Sequence, residues 1–252
     1  IEQGYGQVYA QEWYRKAARW GFLEAHLYID YGNDVAARFN GLHEAAKQGI
    51  PEAQAALAEC YMQGAGCVRD LTDVFKWQLE SARQGLKSQF LPVARAYREG
   101  LGVEKDAVQE FYWLTRAADY GDKASALNIA LCFFNGYGVR QDRVESFIRL
   151  IKLSKDPSYK AVNAQAGREV GKLFEQGTPE NQILIGDAAL NGTLQELFGD
   201  KSIFEAVRWY ERAASQGSLE GIYRKGACLW RIYQEKNHDL KILYDAYIAV
   251  KK

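Results

Sequence analysis

A repeat of 36 residues constrains the fold of this chain more than any other feature. Three single glycines recur at this spacing: Gly49, Gly85 and Gly121. Three Gly-x-Gly pairs keep the same step: Gly64/Gly66, Gly100/Gly102 and Gly136/Gly138. A period between 20 and 50 residues is typical of stacked supersecondary units, each of which buries its apolar face only against its neighbours. Such arrays bind along an extended surface.

Each period reads as two helices joined by a glycine loop. In the unit from Leu86 to Gly121, an Ala- and Arg-rich segment precedes the Gly100/Gly102 pair. Glycine adopts positive φ without strain, so this pair predicts the end of a helix and a chain reversal. Asp106 then follows with Gln109 three residues on, which predicts the N-cap of the next helix. We therefore predict an all-α fold of about six helix-turn-helix repeats.

The first regular unit carries Leu57-Ala58, Tyr61, Gly64-Ala65-Gly66, Asp70, Trp77, Ala82 and Gly85. The second helix of later units carries Tyr112-Trp113 with Arg116-Ala117-Ala118, and Trp209-Tyr210 with Arg212-Ala213-Ala214. At these spacings the residues resemble the Sel1-like repeat, a relative of the tetratricopeptide repeat. This resemblance implies a right-handed superhelical solenoid, and its repeated tryptophans Trp13, Trp77, Trp113 and Trp209 are expected to pack between helices.

The regularity varies along the chain, which we treat as one solenoid domain over residues 1–252. Residues 1–49 are degenerate N-terminal repeats, because Gly21 and Gly49 are only 28 residues apart. Residues 50–156 form three regular repeats, and residues 202–252 form a C-terminal repeat and cap. Between them, residues 157–201 break the register, and short extra helices are expected there at Gln182–Leu190 and Thr193–Phe198.

Composition narrows the class of partner. The 32 basic and 32 acidic residues cancel, giving no net charge, so nothing predicts a nucleic-acid or anionic-membrane surface. No run of 18 apolar residues occurs, so no membrane span is expected. The chain begins at Ile1 without Met, and we expect a bacterial periplasmic or envelope location after removal of an N-terminal signal, with a cytoplasmic location as the alternative.

The four cysteines are expected to be thiols rather than a disulfide framework. Cys60, Cys132 and Cys228 each follow a repeat-ending glycine by 11 residues, and Ala96 holds the same slot in another unit. A slot filled by Cys or Ala is small and buried, and Cys is commonly buried without a bridge. The alternative is a pair between Cys60 and the loop residue Cys67.

No local motif predicts catalysis, a metal or a cofactor. His43-Glu44-Ala45-Ala46-Lys47 begins like a zinc-protease helix, but lysine stands where the second histidine ligand belongs. The Gly-x-Gly pairs lack a third glycine and follow helices, so they do not predict a phosphate-binding loop. We therefore expect a protein that is not an enzyme.

The predicted partner-binding surface lies on the first helix of each repeat, opposite its packing stripe. The resemblance places this surface on the concave side of the solenoid. Its residues are Arg95, Arg98, Leu127, Leu131, Phe134, Tyr223 and Trp230. Tyr, Trp and Arg dominate interface energetics, and side chains opposite the stripe are expected to be dispensable for folding. The alternative is that segment 157–201 or close stacking buries them.

The resemblance implies interaction with another protein and no turnover. Proteins of this family act as adaptors in bacterial envelope complexes, which favours a scaffold in an envelope or secretion-linked complex. The family also includes immunity proteins, so the alternative function is an inhibitor that occludes a toxic secreted enzyme.

Overall fold

The structure is a computed structural model that describes residues 2–156, 160–199 and 202–235. Over these ranges it contains helices and turns and no β-strand. The chain divides into two compact units, Ile1–Asp122 and Lys123–Lys252. The single domain proposed over 1–252 stays a prediction.

The first unit contains two regular helix hairpins preceded by a shortened one. Its α-helices are α1 (Glu2–Arg19), α2 (Val35–Lys47), α3 (Pro51–Gln63), α4 (Leu71–Arg83), α5 (Phe90–Glu99) and α6 (Ala107–Asp119). Helices α3 and α4 form one hairpin, and α5 and α6 form the next. Between α1 and α2 the expected first helix is reduced to a 3-10 turn, Leu23–Leu27. This turn accounts for the short spacing from Gly21 to Gly49.

The second unit adds an extra helix between two hairpins. Its helices are α7 (Lys123–Asn135), α8 (Arg143–Lys155), α9 (Lys160–Val170), α10 (Pro179–Leu190), α11 (Gln195–Phe198), α12 (Ser202–Ser215) and α13 (Leu219–Glu235). Helix α9 continues into a π-helical turn, Gly171–Glu175. Helices α7 and α8 pair, α10 pairs with α12, and α13 packs on α12.

The helix ends agree with the capping residues read from the sequence. Asp70, Asp106 and Asp142 each accept hydrogen bonds from backbone N–H groups in the first turn of the helix that follows. Gly64 and Gly100 adopt the left-handed conformation directly after α3 and α5. The polar caps satisfy N–H groups that the helix itself leaves unpaired.

A pair of glutamines shows where the last full repeat begins. In the α3–α4 hairpin, Gln84 Nε2 donates to Gln54 Oε1 at 2.8 Å. In the α10–α12 hairpin, Gln216 Nε2 donates to Gln182 Oε1 at 3.0 Å. The repeat predicted from residue 202 therefore starts with α10. This places the expected helix at 182–190 inside a repeat, rather than in an insertion.

The irregular segment thus resolves into two separate additions. One is α9 with its π turn, which begins beyond Pro157. The other is a longer loop between α10 and α12. Gln182 and Trp209 are 27 residues apart there, whereas the equivalent Gln54 and Trp77 of the α3–α4 hairpin are 23 residues apart, so the loop is longer by four residues. The longer loop carries α11, the second short helix that the sequence predicts.

Three of the four repeated tryptophans predicted to pack between helices are buried. Trp77, Trp113 and Trp209 are at most 9% exposed. Trp13 on α1 is 59% exposed, and Lys16 lies over its ring at 4.7 Å from the centroid. The packing role predicted for Trp13 is therefore wrong within the described residues.

The second glycine of each loop pair sets how closely neighbouring repeats approach in the first unit. A Cβ at Gly66 would lie 2.4 Å from the carbonyl oxygen of Val35, the first residue of α2. A Cβ at Gly102 would lie 1.9 Å from the carbonyl oxygen of Leu71, the first residue of α4. Val35 and Leu71 are themselves 36 residues apart, so the contact repeats with the sequence. Both glycines also have positive φ. Glycine is therefore required at each position for two reasons, the backbone conformation and the lack of space for a Cβ atom.

Replacing Gly102 with alanine is expected to destabilise the fold more than the same change at Gly85. Both positions carry positive φ, but a Cβ at Gly85 meets nothing within 4 Å. The strain of the left-handed conformation, roughly 1–2 kcal/mol, is common to both, whereas Gly102→Ala adds a backbone overlap of about 1–3 kcal/mol. Urea unfolding measures both variants, and equal losses of stability would contradict the close approach.

The cysteines agree with the thiol prediction. Cys60, Cys132 and Cys228 are buried, and no disulfide joins the four cysteines. The alternative Cys60–Cys67 bridge does not form; the Cys67 thiol instead donates to the Cys60 carbonyl oxygen at 3.6 Å. Burial raises the pKa of the Cys228 thiol to about 11, so this group is protonated and unreactive at neutral pH.

Alkylation is expected to separate Cys67 from the other three thiols. Iodoacetamide at pH 8 modifies the partly exposed Cys67 first, and modifies Cys60, Cys132 and Cys228 only after unfolding, because the reagent must reach the thiolate. Intact-mass spectrometry with and without denaturant counts the labels. Rapid labelling of two or more thiols in the folded protein would contradict the burial.

Candidate functional site

Helix α13 exposes a row of large apolar side chains. Leu219, Ile222, Tyr223 and Trp230 are 82%, 52%, 72% and 62% exposed. Their spacing follows one helix face, and Tyr233 extends it, with its ring centroid 5.5 Å from that of Trp230. We call Leu219, Ile222, Tyr223 and Trp230 the α13 face. Scattered exposed hydrophobic residues are ordinary on protein surfaces, whereas a contiguous set marks an interaction site.

The opposite side of α13 is anchored to α12. Gly221, Cys228 and Ile232 are buried. A Cβ at Gly221 would lie 2.8 Å from the Cβ of Ala213 on α12, so the two backbones approach closely there. Helix α13 therefore has one buried side and one apolar exposed side.

Ion pairs hold the flanks of α13. Arg224 contacts Asp187 on α10 and pairs with Glu220 on its own helix, with a 2.6 Å Nε–Oε1 distance. Tyr210 of α12 donates its hydroxyl hydrogen to the same Asp187 carboxylate at 2.6 Å. Lys225 pairs with Glu211 of α12. These contacts fix the orientation of the α13 face relative to α10 and α12.

Tyr210 depends on the glycine beside it. Its ring is fully buried, and a Cβ at Gly186 would lie 2.5 Å from its Cε1 atom. Burial, together with the Asp187 carboxylate, raises the pKa of the Tyr210 hydroxyl above its usual value. The hydroxyl therefore stays protonated and serves as the donor to Asp187.

Of the seven predicted partner-binding residues, Tyr223 and Trp230 lie on the α13 face. Leu219 and Ile222, which share this face, are not among the residues predicted from the sequence. In the regular repeat the equivalent of Ile222 is Gln54, which is buried in its hairpin. Nothing in the α13 sequence itself marks that position as exposed.

Three other predicted residues lie on α7 in the second unit. Leu127 is 3% exposed and belongs to the core, so its prediction as a partner contact is wrong. Leu131 is half-buried. Phe134 is also half-buried and packs edge-on against Phe174 of the π turn, 5.5 Å between ring centroids. The extra helix α9 and its π turn thus supply the cover that the alternative interpretation expected.

Arg95 and Arg98 are exposed on α5 in the first unit. Arg95 pairs with Glu99 at 2.9 Å on the same helix surface. Arg98 reaches Glu110 of α6 at 2.5 Å, and the Glu110 side chain is only 4% exposed. Arg98 therefore compensates a buried carboxylate, and we now expect it to contribute to folding rather than to be dispensable.

His26 and His43, the two histidines in the described part of the chain, pack against aromatic rings. His43 stacks on Phe39 at 5.7 Å between ring centroids and meets Trp77 edge-on. His26 Nδ1 and the Tyr31 hydroxyl are hydrogen-bonded at 2.5 Å. Within the described ranges, no cluster of three or more His, Cys, Asp and Glu side chains is placed to hold a metal ion.

None of the described helices combines sufficient length with sufficient apolar character to cross a bilayer.

The two arginines of α5 are expected to differ in their effect on stability. Arg98→Ala removes a charged hydrogen-bond partner of buried Glu110 and should lower the free energy of unfolding by about 1–3 kcal/mol. Arg95→Ala removes an exposed pair and should change it by less than about 0.5 kcal/mol. Urea unfolding compares them. In a Glu110→Gln background the Arg98 effect should shrink, and equal effects of Arg98→Ala in both backgrounds would contradict the pairing.

Comparison with known proteins gives the family. The Sel1 repeat profile matches residues 7–21, 51–86, 93–122, 123–148 and 182–218, together more than half of the chain. The last matched segment spans α10 to α12, in agreement with the glutamine pair. No curated protein matches the sequence.

The chain resembles several solved structures. One is a protective antigen of uropathogenic Escherichia coli strains with an SLR fold. The two sequences are 24% identical and the TM-score is 0.51; the alignment covers 96% of this chain and 48% of the antigen. A Sel1 repeat protein from Oxalobacter formigenes is 22% identical with a TM-score of 0.44, covering 75% and 68% respectively. The chain spans about half the length of the E. coli antigen. The predicted class, an all-α repeat solenoid, is confirmed, and the chain belongs to the Sel1 repeat family.

Proposed function

We propose that this chain is a non-catalytic protein-binding module that contacts its partner through the α13 face. Sel1 repeat proteins generally mediate protein–protein interactions. The observation that carries the proposal is the exposure of four large apolar side chains on a single helix, each more than half open to solvent.

The chemistry of the α13 face suits a protein partner. Tyrosine and tryptophan bury large areas with few rotatable bonds, and truncating such anchors commonly costs about 2 kcal/mol or more of binding energy. The flanking ion pairs of Arg224 and Lys225 hold the helix in place. Binding to a pre-organised face loses less conformational entropy than binding to a mobile one.

For the biological setting, we place this module in a bacterial envelope or secretion-linked complex, as the resemblance to envelope adaptors implies. A scaffold of this kind holds at least two proteins at once. An immunity protein would instead form a tight complex with one enzyme and abolish its activity. Co-purification from fractionated cells, followed by stoichiometry of the complex, distinguishes these roles and the location.

The α13 face is expected to contact another protein in the cell. A photo-cross-linking amino acid at position 230 should capture a partner, whereas the same group at Val108, an exposed position on α6, should not. Against the purified partner, the double variant Tyr223→Ser/Trp230→Ser should lose at least about tenfold in affinity, and Val108→Ser should bind normally. Both variants should keep the thermal midpoint within a few degrees, since the changed side chains are exposed.

Two results would overturn this assignment. One is unchanged affinity of the double variant for the captured partner. The other is a cross-link from position 230 only to residues 236–252 of the same chain, which would mean that the chain itself occupies the α13 face.

A further inference from the structure

The residue that directly follows the second helix of a hairpin contacts the first turn of the first helix. Gln84 follows α4 and donates to Gln54, the fourth residue of α3, at 2.8 Å. Gln216 follows α12 and donates to Gln182, the fourth residue of α10, at 3.0 Å. The same two positions therefore meet in both units of the chain.

The other two hairpins make this contact with different chemistry. Tyr120, which follows α6, lies 5.6 Å between ring centroids from Phe90, the first residue of α5. Asp156, which follows α8, forms a 2.9 Å ion pair with Lys123, the first residue of α7. Across the four hairpins an amide meets an amide, a ring meets a ring, and an acid meets a base. The two positions are therefore chemically matched within each hairpin.

Helix α1 carries the second-helix half of this contact. The Sel1 profile matches residues 7–21, and Trp13 precedes Gly21 by eight residues, as Trp77 precedes Gly85. Trp20 directly follows α1, in the position of Gln84, and is 72% exposed. Although the 3-10 turn packs against α1, the surface formed by Trp13 and Trp20 stays open within the described ranges. We call Trp13 and Trp20 the α1 face.

Helix α13 carries the first-helix half. Cys228 follows Ile222 by six residues, as Cys60 follows Gln54, so Ile222 holds the Gln54 position. Leu219, the first residue of α13, and Ile222 are both more than half exposed. The two uncovered halves are therefore apolar on both sides, Trp20 on α1 and Leu219 with Ile222 on α13, so they match each other as the pairs of the four hairpins do.

The α5–α6 hairpin shows how such a contact packs when both positions are apolar. The Phe90 ring lies 5.8 Å from the Trp113 ring and 5.6 Å from the Tyr120 ring, measured between centroids. Lys87, three residues before Phe90, lies over the Tyr120 ring at 4.4 Å from its centroid. A single side chain of the first helix thus covers two aromatic rings of the second.

We propose that copies of this chain associate head to tail, with α13 of one copy and the α1 face of the next forming a hairpin like those inside the chain. Ile222 of one copy holds the Phe90 position, and Trp13 and Trp20 of the next hold the positions of the two rings that Phe90 covers. Leu219 then lies over Trp20. The partner is a second copy of this chain, because its own α1 supplies the matching half.

This contact rests on the α13 face of the proposed function and names the occupant of its N-terminal end. Tyr223 and Trp230 stay available to a different partner. Their equivalents in the complete α5–α6 hairpin, Leu91 and Arg98, are both exposed. Self-association and capture of another protein are therefore separate events that separate measurements detect.

Residues 236–252 of the same chain are the competing occupant of α13. Their sequence contains neither tryptophan nor glycine, whereas residues 13–21 contain both at the spacing found in α4 and α6. The Sel1 profile also matches α1 but no residue beyond 218. The second-helix pattern therefore favours α1 of another copy.

The two surfaces are different, so the contact is heterologous and a dimer keeps one free surface of each kind. Association therefore continues beyond two copies, as a closed ring or an open array. Sedimentation equilibrium of the protein as the cell makes it, from micromolar to near-millimolar concentration, should show an average mass that rises with concentration to more than twice that of the chain.

Single variants connect the association to the two surfaces. Trp20→Asp and Ile222→Asp should each weaken it at least about tenfold, because each places an unpaired carboxylate in the apolar contact. Val108→Asp changes an exposed residue of α6 and is the matched control, which should associate like the original protein. Circular dichroism and the thermal midpoint verify that each variant is folded.

Mixing the two variants tests the head-to-tail arrangement itself. Trp20→Asp keeps its α13 face and Ile222→Asp keeps its α1 face, so an equimolar mixture should form a dimer and no larger species. A photo-cross-linking amino acid at position 222 should capture residues 7–21 of a second copy. An isotope-labelled copy in the mixture distinguishes cross-links between copies from those within one.

Three outcomes would overturn the proposal. The first is a single-chain mass at near-millimolar concentration. The second is a mixture of the two folded variants that stays monomeric. The third is a cross-link from position 222 only to residues 236–252 of the same chain. All of these measurements leave Tyr223 and Trp230 unchanged, so failure here is distinguishable from failure of the proposed function.

Discussion

The stacking of the repeats in the first unit depends on a backbone contact in which a loop glycine of one hairpin meets the carbonyl oxygen of the first residue of an earlier helix. Gly66 against Val35 and Gly102 against Leu71 leave no room for a Cβ atom. Because a backbone contact is insensitive to side chains elsewhere, the helix surfaces can change from repeat to repeat while the spacing holds. The caps at Asp70 and Asp106 then start the next helix at a fixed distance from that contact.

The sequence predicts the local features well because glycine and aspartate act over a few residues. Positive φ after α3 and α5, the N-caps, and the small buried slot that holds Cys60 and Ala96 all follow from the chemistry of single side chains. The burial of Leu127 does not follow in this way. It depends on packing in the core of the second unit, to which Phe174 of the π turn also belongs and which no repeat consensus describes.

The candidate site is harder to predict for the same reason. From the sequence, Arg98 is expected to be a surface charge available to a partner, but in the structure it pairs with Glu110 of α6. Ile222 is equivalent to Gln54, which is buried in its hairpin, but Ile222 lies on the open side of α13 and is exposed. In both cases the deciding fact is which helix lies across from the residue. Sequence periodicity gives the face of a helix, whereas its exposure depends on neighbours contributed by distant segments.

The lengthened loop between α10 and α12 has a consequence for how such proteins diversify. Four added residues and a new short helix leave the amide pair Gln182–Gln216 in the same arrangement as Gln54–Gln84. The hairpin register is therefore independent of loop length, and the loop can be extended without disturbing the helices. A repeat of this kind offers natural selection, or a protein engineer, a site for grafting new structure at little risk to the fold.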